Sequence, residues 1–84
     1  MFYVYVLQSE KDGNFYVGYT KDLKARFFSH NAGKVESTKR RIPLSLIYYE
    51  ASCNQSDALK REKYLKTAYG KRYIKSRLCS YFTG

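Results

Sequence analysis

The chain has 84 residues, of which 16 are lysine or arginine and 7 are aspartate or glutamate, so its formal net charge is +9. This length suits one small domain, and we expect residues 1–84 to form it. No apolar run reaches the roughly 18 residues that a membrane-spanning helix requires. The excess of positive charge favours a polyanionic partner, with nucleic acid ahead of an acidic membrane surface.

The amino terminus and the cysteines bear on the compartment. Residues 1–7 carry no leading positive charge and no small-residue cleavage site, so we interpret them as a strand and not as a secretion signal. Cys53 and Cys79 fit no metal-binding spacing, and we expect two free, buried thiols. The expected location is therefore the cytoplasm, and the nucleoid if the chain is bacterial.

The beginning of the chain predicts a β-hairpin. Residues 2–8 are almost all apolar, as in a strand that is covered on both faces. A turn-forming stretch follows, in which Gly13 can adopt positive φ, and residues 15–19 supply the second strand. Because side chains alternate along a strand, Tyr3, Tyr5 and Leu7 lie on the same face of this hairpin.

The rest of the chain predicts helices around a third strand. The predicted elements are a helix capped by Thr20 or Asp22 and running to about Asn31, a strand over residues 44–49, a helix from Asn54 or Ser56 to about Tyr69 with Gly70 as its stop, and a short helix over residues 71–79. The fold class is therefore α+β, with layers like an α/β sandwich. A small, mostly antiparallel three-stranded sheet is flanked by helices in the order ββαβαα.

Two polar residues fall on the apolar face of the first predicted helix. Arg26 and His30 share an arc of about 100° with Leu23 and Phe27, which must face the core. We therefore expect Arg26 and His30 at the edge of the buried face, where they can line a cleft.

Glu62 lies inside the apolar stripe of the second predicted helix. That stripe consists of Ala58, Leu59, Leu65 and Tyr69. A carboxylate turned toward the protein needs a partner, because an unpaired buried charge is costly. One hypothesis is a structural salt bridge between Glu62 and Arg26. The other is a shared cleft suited to phosphoryl chemistry, in which the carboxylate holds a cation such as Mg²⁺ and the arginine binds phosphate.

The order and spacing of these residues resemble the GIY-YIG nuclease superfamily. Tyr3-Val4-Tyr5 stands for Gly-Ile-Tyr and Tyr16-Val17-Gly18 stands for Tyr-Ile-Gly, while Arg26, His30 and Glu62 follow on the two helices. The resemblance implies the GIY-YIG fold. It also implies a metal-dependent endonuclease that hydrolyses phosphodiester bonds in DNA with one Mg²⁺ or Mn²⁺ ion, in DNA repair or recombination.

The chain is similar in particular to the stand-alone, single-domain UPF0213-like members. The similarity includes Ser37-Thr38-Lys39-Arg40-Arg41, which precedes Pro43, and the strand end Tyr48-Tyr49-Glu50. The chain departs from the wider family in two places. Tyr3 stands where the family name has glycine, and no asparagine follows Asn54, although many relatives carry one on the helix after the glutamate.

The resemblance implies a role for each matched residue. Tyr5 and Tyr16 are the triplet tyrosines near the scissile phosphate, one of which serves as general base. Arg26 contacts the phosphate, and Glu62 anchors the metal ion. Gly18 allows a close backbone approach because it has no side chain.

The general base is open between a phenol and His30, which matches a family position held by histidine or tyrosine. An ordinary phenol has a pKa near 10, so Arg26 and a bound cation would have to lower it. Alternatively, Tyr5 or Tyr16 only orients the attacking water, and His30 takes the proton. His30 also suits the end of a helix, where the dipole favours a cation.

The basic residues supply candidate nucleic-acid contacts. Lys39, Arg40 and Arg41 form either a phosphate-binding segment without base specificity or a solvated loop. Lys60 and Lys63 are further candidates on the second helix. DNA is favoured over RNA as the partner. The alternative function is a catalytically weak or inactive nucleic-acid-binding module that acts as an accessory to a larger complex, with a protein partner.

Overall fold

The computed structural model describes all 84 residues. Its elements are β1 (Phe2–Ser9), β2 (Phe15–Thr20), α1 (Leu23–Asn31), β3 (Leu44–Ser52), α2 (Gln55–Leu65), α3 (Ala68–Arg77) and α4 (Cys79–Thr83). The strands form one antiparallel sheet in the order β2-β1-β3. This arrangement confirms the predicted α+β class. None of the helices has the length and apolar character that crossing a membrane requires.

The central strand β1 brings the first triplet to the middle of the sheet. Tyr5 pairs with Gly18 of β2 on one side and with Tyr49 of β3 on the other. The hairpin between β1 and β2 turns at Gly13, whose φ of 73° is the left-handed conformation that glycine adopts without strain. The two tyrosine triplets are therefore adjacent, as the hairpin prediction requires.

The alternation of side chains along β1 divides the core into two clusters. The cluster beneath α2 and α3 consists of Val4, Val6, Val17, Ala58, Leu65 and Ile74. The cluster on the α1 face consists of Tyr5, Leu7 and Leu44, with Tyr16, Leu23, Phe27 and Leu46 packed around them. Tyr5 is therefore buried in the smaller of the two clusters, although its hydroxyl group is polar.

Side-chain hydrogen bonds fix both ends of α1. Asp22 is the N-cap, and its carboxylate accepts a hydrogen bond from the Ala25 amide at 3.1 Å. At the other end, the side-chain carboxamide of Asn31 donates to the Leu44 carbonyl at 2.8 Å and accepts from the backbone amide of Leu44 at 2.7 Å. These contacts tie the end of α1 to the start of β3, and so they hold His30 over the sheet.

The prediction that the second helix continues to about Tyr69 was wrong. Helix α2 ends at Leu65, and Thr67 caps a separate helix by accepting a hydrogen bond from the Gly70 amide at 3.1 Å. Gly70 is therefore helical and does not stop a helix. A Cβ atom on Gly70 would collide with the backbone of Tyr64 and Leu65. Its missing side chain lets α3 begin directly against the end of α2.

The apolar stripe predicted for the second helix is also shorter than expected. Ala58 and Leu65 are buried, but Leu59 is 42% exposed and Tyr69 is 67% exposed. Tyr69 lies outside the stripe because it belongs to α3, whose direction differs from that of α2. The stripe therefore covers only the part of α2 that packs on the sheet.

The prediction of buried thiols was wrong as well. Cys53 and Cys79 are free and exposed. Cys53 follows the end of β3, and Cys79 is the first residue of α4, so both lie where the chain leaves one element for the next.

Candidate active site

Tyr5 and Gly18 form the base of the candidate site. The Tyr5 side chain is 1% exposed and lies across its β2 neighbour. A Cβ atom on Gly18 would fall on the Tyr5 hydroxyl group and 2.9 Å from its Cε1 atom. The glycine of the second triplet is therefore needed to make room for the tyrosine of the first.

A buried hydrogen-bonded chain leads from Tyr5 into the protein. The Tyr5 hydroxyl lies 2.8 Å from Nε2 of His30, and Nδ1 of His30 lies 2.7 Å from Oγ1 of Thr38. All three residues are at most 1% exposed. Because a neutral imidazole has one donor and one acceptor nitrogen, one of the two hydroxyl groups donates to the ring and the other accepts from it.

The surroundings of His30 keep its ring neutral. Burial lowers the pKa of His30 to about 4, and the positive charge of Arg26 adds to the effect. His30 is also more deeply placed than the edge position predicted from the helical pattern, since it is 0% exposed. At neutral pH this residue is therefore a hydrogen-bonding partner of Tyr5 and Thr38, and it has no contact with solvent.

The environment of the Tyr5 hydroxyl brings in two further site residues. Burial raises the pKa of Tyr5, and the nearby Arg26 guanidinium acts in the opposite direction. The Tyr16 phenol and the Glu62 carboxylate raise the pKa of Tyr5 further. Arg26 and Glu62, which come from different helices, thus both lie within electrostatic reach of one phenol. Tyr5 is a neutral phenol at pH 7.

Tyr16 occupies the outer layer of this cluster. Its ring centroid lies 5.0 Å from that of His30 and 6.4 Å from that of Tyr5. The ring is half-buried, and its hydroxyl group, which has no protein partner, is not among the buried polar atoms. Tyr16 is therefore the triplet tyrosine whose hydroxyl can meet a substrate or a water molecule.

Glu62 and Arg26 do not form the salt bridge of the first hypothesis. The Glu62 carboxylate, with a side chain that is 20% exposed, lies 3.2 Å from Nζ of Lys66 one turn along α2. Arg26 is exposed, and no protein carboxylate pairs with it. The Arg26 guanidinium is therefore open to a ligand, whereas the Glu62 carboxylate would have to exchange Lys66 for one.

The donor set suits a metal ion that is bound by few protein atoms. No group of three or more histidine, cysteine, aspartate or glutamate side chains occurs. Glu62 is the one carboxylate near Tyr5, and its only salt-bridge partner is the exposed Lys66. Mg²⁺ commonly binds through one or two carboxylates together with waters and substrate phosphate. Glu62 fits that pattern, and a metal that requires several protein ligands does not.

The predicted nucleic-acid contacts differ in whether they already have an acidic partner. Lys39 pairs with Glu36 at 2.9 Å on an exposed helical turn. Arg41 pairs with Asp12 at 2.8 Å and so joins the basic segment to the hairpin turn. The remaining three candidates, which are exposed and have no acidic partner, are Arg40, Lys60 and Lys63. Arg41 is thus the candidate whose guanidinium stabilises the fold by linking two segments of the chain.

The sequence did not reveal the role of Thr38. Its segment was singled out for similarity and for its basic residues, but Thr38 itself is buried and holds Nδ1 of His30. The loop after α1 returns to the helix by turns in which the Thr38 and Lys39 amides donate to the Val35 carbonyl at 3.1 and 2.9 Å. The sequence feature that could have indicated this contact is a threonine eight positions after the only histidine.

A second contact that the sequence did not reveal orients α2. Nε of Arg61 donates to one Glu50 oxygen at 2.8 Å, and its Nη2 donates to the other at 2.9 Å. The Arg61 guanidinium also lies 4.6 Å from the centroid of the Tyr73 ring. This two-point pair fixes the rotation of α2 against β3, and so it helps to fix the direction of the neighbouring Glu62.

Comparison with known proteins places this geometry in a family. The family model described as the GIY-YIG catalytic domain matches residues 1–75. UPF0213 protein SSP2268 of Staphylococcus saprophyticus is 40% identical over 74 residues, which are 87% of this chain and 89% of that protein. UPF0213 protein SERP0126 of Staphylococcus epidermidis is 46% identical over 66 residues, which are 77% of this chain and 79% of that protein.

A solved structure supports the same assignment. The solution NMR structure of UPF0213 protein BH0048 from Bacillus halodurans has a TM-score of 0.57 and 32% identity, and it covers 90% of this chain and 84% of that chain. The matched range of the family model, residues 1–75, covers the sheet and the helices α1 and α2. This chain belongs to the GIY-YIG family and, within it, to the UPF0213 proteins.

Proposed function

We propose that this chain is an endonuclease that hydrolyses phosphodiester bonds in DNA with one divalent metal ion, Mg²⁺ or Mn²⁺. The observation that supports the proposal is the cluster of Tyr5, Tyr16 and His30 on a GIY-YIG fold, with the Arg26 and Glu62 charges within electrostatic reach of the Tyr5 phenol. A nuclease of this kind would serve DNA repair or recombination.

Arg26 and Tyr16 would bind the scissile phosphate. The Arg26 guanidinium is exposed and free of carboxylates, so it can place two donors on phosphate oxygens and stabilise the charge of the transition state. The Tyr16 hydroxyl has no protein partner and can hydrogen-bond the phosphate or the attacking water. These two groups account for substrate positioning at the outer layer of the site.

Glu62 would hold the metal ion in place of its contact with Lys66. A bound divalent cation supplies charge stabilisation for phosphoryl transfer. Glu62 is suited to this role because its carboxylate lies within electrostatic reach of Tyr5 and its present partner is a solvent-exposed lysine. Because Lys66 can turn into solvent, a ligand can replace it at Glu62.

Tyr5 and His30 would support the outer residues and conduct a proton. The Tyr5 hydroxyl can donate to Nε2 of His30 only when the ring carries its own proton on Nδ1 and donates it to Thr38. Since His30 has no contact with solvent, it can take a proton from water only through Tyr5. The two alternatives for the general base are thus the buried relay from Tyr5 to His30 or Tyr16, whose hydroxyl group is accessible.

The protein would recognise its nucleic-acid substrate by charge and shape. Arg40, Lys60 and Lys63 have no acidic partner, so they can contact phosphates without selecting a base sequence. We expect sequence-tolerant binding that weakens steeply with added salt, because each phosphate contact releases counterions.

The test is single-turnover cleavage of plasmid, single-stranded and branched DNA at saturating protein. We expect cleavage with Mg²⁺ or Mn²⁺ and none with EDTA. Replacing Arg26 with alanine should lower the rate about 100-fold or more through lost stabilisation of the transition state. Arg72→Ala is the matched control, since Arg72 is another exposed arginine, which lies on α3 and stacks on Tyr69. Equal rates for both variants would contradict the proposed role of Arg26.

A second candidate function is a binding module with little or no turnover that acts as an accessory to a larger complex. Two observations favour it: no asparagine follows Asn54, and the Glu62 carboxylate is already paired with Lys66. In that case no substrate is cleaved by the isolated chain with any divalent metal, although DNA is bound. Cleavage that appears only after a partner protein is added would identify the accessory role.

A further inference from the structure

A groove opens on the α1 face of the sheet beside the candidate active site. Its volume is about 530 Å³, which falls in the range of roughly 300–1,000 Å³ that holds small ligands. Its apolar lining comes from Leu23 and Phe27 of α1 and from Leu46 of β3. None of these residues has a role in the cleavage chemistry described above.

Two tyrosines form the walls of this groove. The rings of Tyr3 and Tyr49 meet edge to face, with centroids 6.2 Å apart and planes inclined by 61°. Tyr49 is 54% exposed, so a large part of its ring is open to a ligand. An aromatic ring that is open on a basic protein is a stacking surface for a planar base, and stacking tolerates any base sequence.

Lysines form the rim where the groove meets α1. Lys21 and Lys24 line it, and neither has a salt-bridge partner, although Nζ of Lys21 lies 5.8 Å from the centroid of the Phe2 ring. Asp22 also lines it, but one oxygen of its carboxylate is engaged in capping α1. The groove therefore combines an aromatic wall with two lysines that have no acidic partner, which is the composition that binds a base together with its phosphate. A polypeptide ligand would leave both cations without a counterpart unless it were acidic.

The groove is directly next to Tyr5. Tyr3 lies two residues before Tyr5 on the same face of β1, and Tyr49 is opposite Tyr5 on β3. Side chains at such positions are about 5–7 Å apart. A nucleotide in the groove is therefore an immediate neighbour of a phosphate held at Tyr16 and Arg26 on the other side of Tyr5.

We propose that this groove binds an unpaired nucleobase by stacking it on Tyr49, with Lys21 and Lys24 holding the adjoining phosphate. The preferred ligand is thus a single strand or a junction with unpaired nucleotides, and not a continuous duplex. The inference rests on the proposed function in one respect, namely that the strand in the groove is the one presented to the cleavage site.

The test measures binding without cleavage. An oligonucleotide that carries 2-aminopurine is titrated in EDTA, as a single strand and as a blunt duplex of the same sequence. Stacking on Tyr49 should quench the fluorescence of the single strand. Tyr49→Ala should abolish the quenching and weaken single-strand binding about 5- to 100-fold, as for the loss of one stacked base. Duplex binding, which depends on phosphate contacts, should change by less than about twofold.

Three variants serve as controls. Tyr49→Phe keeps the ring and should restore quenching and affinity. Tyr69→Ala removes a similarly exposed tyrosine from α3, and it should leave single-strand binding unchanged. Circular dichroism of Tyr49→Ala should match the unaltered protein, because more than half of the Tyr49 surface is already exposed.

Two outcomes would overturn the inference. The first is equal weakening of single-strand and duplex binding by Tyr49→Ala. The second is an unchanged single-strand affinity of Tyr49→Ala. If this variant also dissociates a dimer in sedimentation, the groove binds a second copy of the chain and not a nucleobase. Neither outcome depends on catalysis. Failure of cleavage with normal quenching would contradict the proposed nuclease activity and leave the groove assignment in place.

Discussion

The Tyr5 hydroxyl and Nε2 of His30 lie 2.8 Å apart, and neither residue has appreciable contact with solvent. The tyrosine of the first triplet is thus oriented from inside the protein, with Thr38 holding the far side of the imidazole. Tyr16 covers this pair and presents the accessible hydroxyl. The tyrosines of the two triplets therefore have different surroundings, and they should differ in function.

The first prediction concerns the titration of His30, which is the only histidine in the chain. Burial holds its pKa at about 4, against 6.5 in an unfolded chain. Between these values the unfolded state binds more protons, so the free energy of unfolding should rise with pH from about 4 to 6.5 and then level off. The imidazole Cε1 proton in NMR should show no titration above about pH 5. In concentrated urea it should titrate near 6.5, and a midpoint near 6.5 in the folded protein would contradict the burial of His30.

The second prediction concerns the fit between Gly18 and Tyr5. Gly18→Ala places a methyl group where the Tyr5 hydroxyl lies, so the ring must move and the contact with His30 is lost. Overpacking of this kind should lower the free energy of unfolding by about 1–3 kcal/mol. In a Tyr5→Leu background, which lacks the hydroxyl, the same change should be clearly less destabilising. Urea denaturation of the four proteins in this cycle measures the coupling. If the effects of the two substitutions are additive, the destabilisation by Gly18→Ala does not come from a collision with the Tyr5 side chain.

The third prediction separates the two tyrosines by rate and by stability. Tyr5→Phe leaves Nε2 of His30 buried without a partner, and it should destabilise the fold by about 1–3 kcal/mol. Tyr16→Phe removes a hydroxyl that has no protein partner and should change stability by less than about 0.5 kcal/mol. If the proposed function holds, Tyr16→Phe should slow single-turnover cleavage about 100-fold or more. A normal rate with Tyr16→Phe would remove this hydroxyl from the chemistry.

The sequence was sufficient for the hairpin and for the placement of the two triplets. Alternation along β1 correctly predicted that Tyr5 and Leu7 share a face, because a strand has a fixed period of two. The N-cap alternatives resolved to Asp22 and Asn54, whose side chains accept from amides three residues later. These features depend on neighbours in the sequence, so local patterns determine them.

The features that the sequence did not predict depend on distant contacts. The burial of His30 requires the loop after α1 to bring Thr38 back beneath the helix, and no periodic pattern encodes that return. The division between α2 and α3 required Thr67 to be recognised as a cap and Gly70 as a close contact. Leu59 is exposed for a related reason, since only one side of the short α2 meets the sheet.

The fourth prediction separates two adjacent arginines. Arg40 has no acidic partner, whereas Arg41 bonds the Asp12 carboxylate at 2.8 Å, and that bond lowers the pKa of Asp12. Arg40→Ala should reduce the slope of log Kd against log salt for DNA by about 1 and leave the melting temperature unchanged. Arg41→Ala should lower the melting temperature and leave the slope closer to that of the unaltered protein. An exchange of these two results would mean that Arg41 contacts DNA and Arg40 stabilises the fold.

Glu62 and the tyrosine cluster are proposed to form one metal-dependent cleavage site. The most direct measurement is single-turnover cleavage by Glu62→Gln as Mg²⁺ or Mn²⁺ is titrated. Glu36→Gln is the control, since Glu36 also pairs with a lysine on an exposed turn but lies outside the cluster. We predict that Glu36→Gln cleaves normally, whereas Glu62→Gln binds DNA with normal affinity and shows no cleavage at any metal concentration. Equal cleavage by both variants would contradict the account.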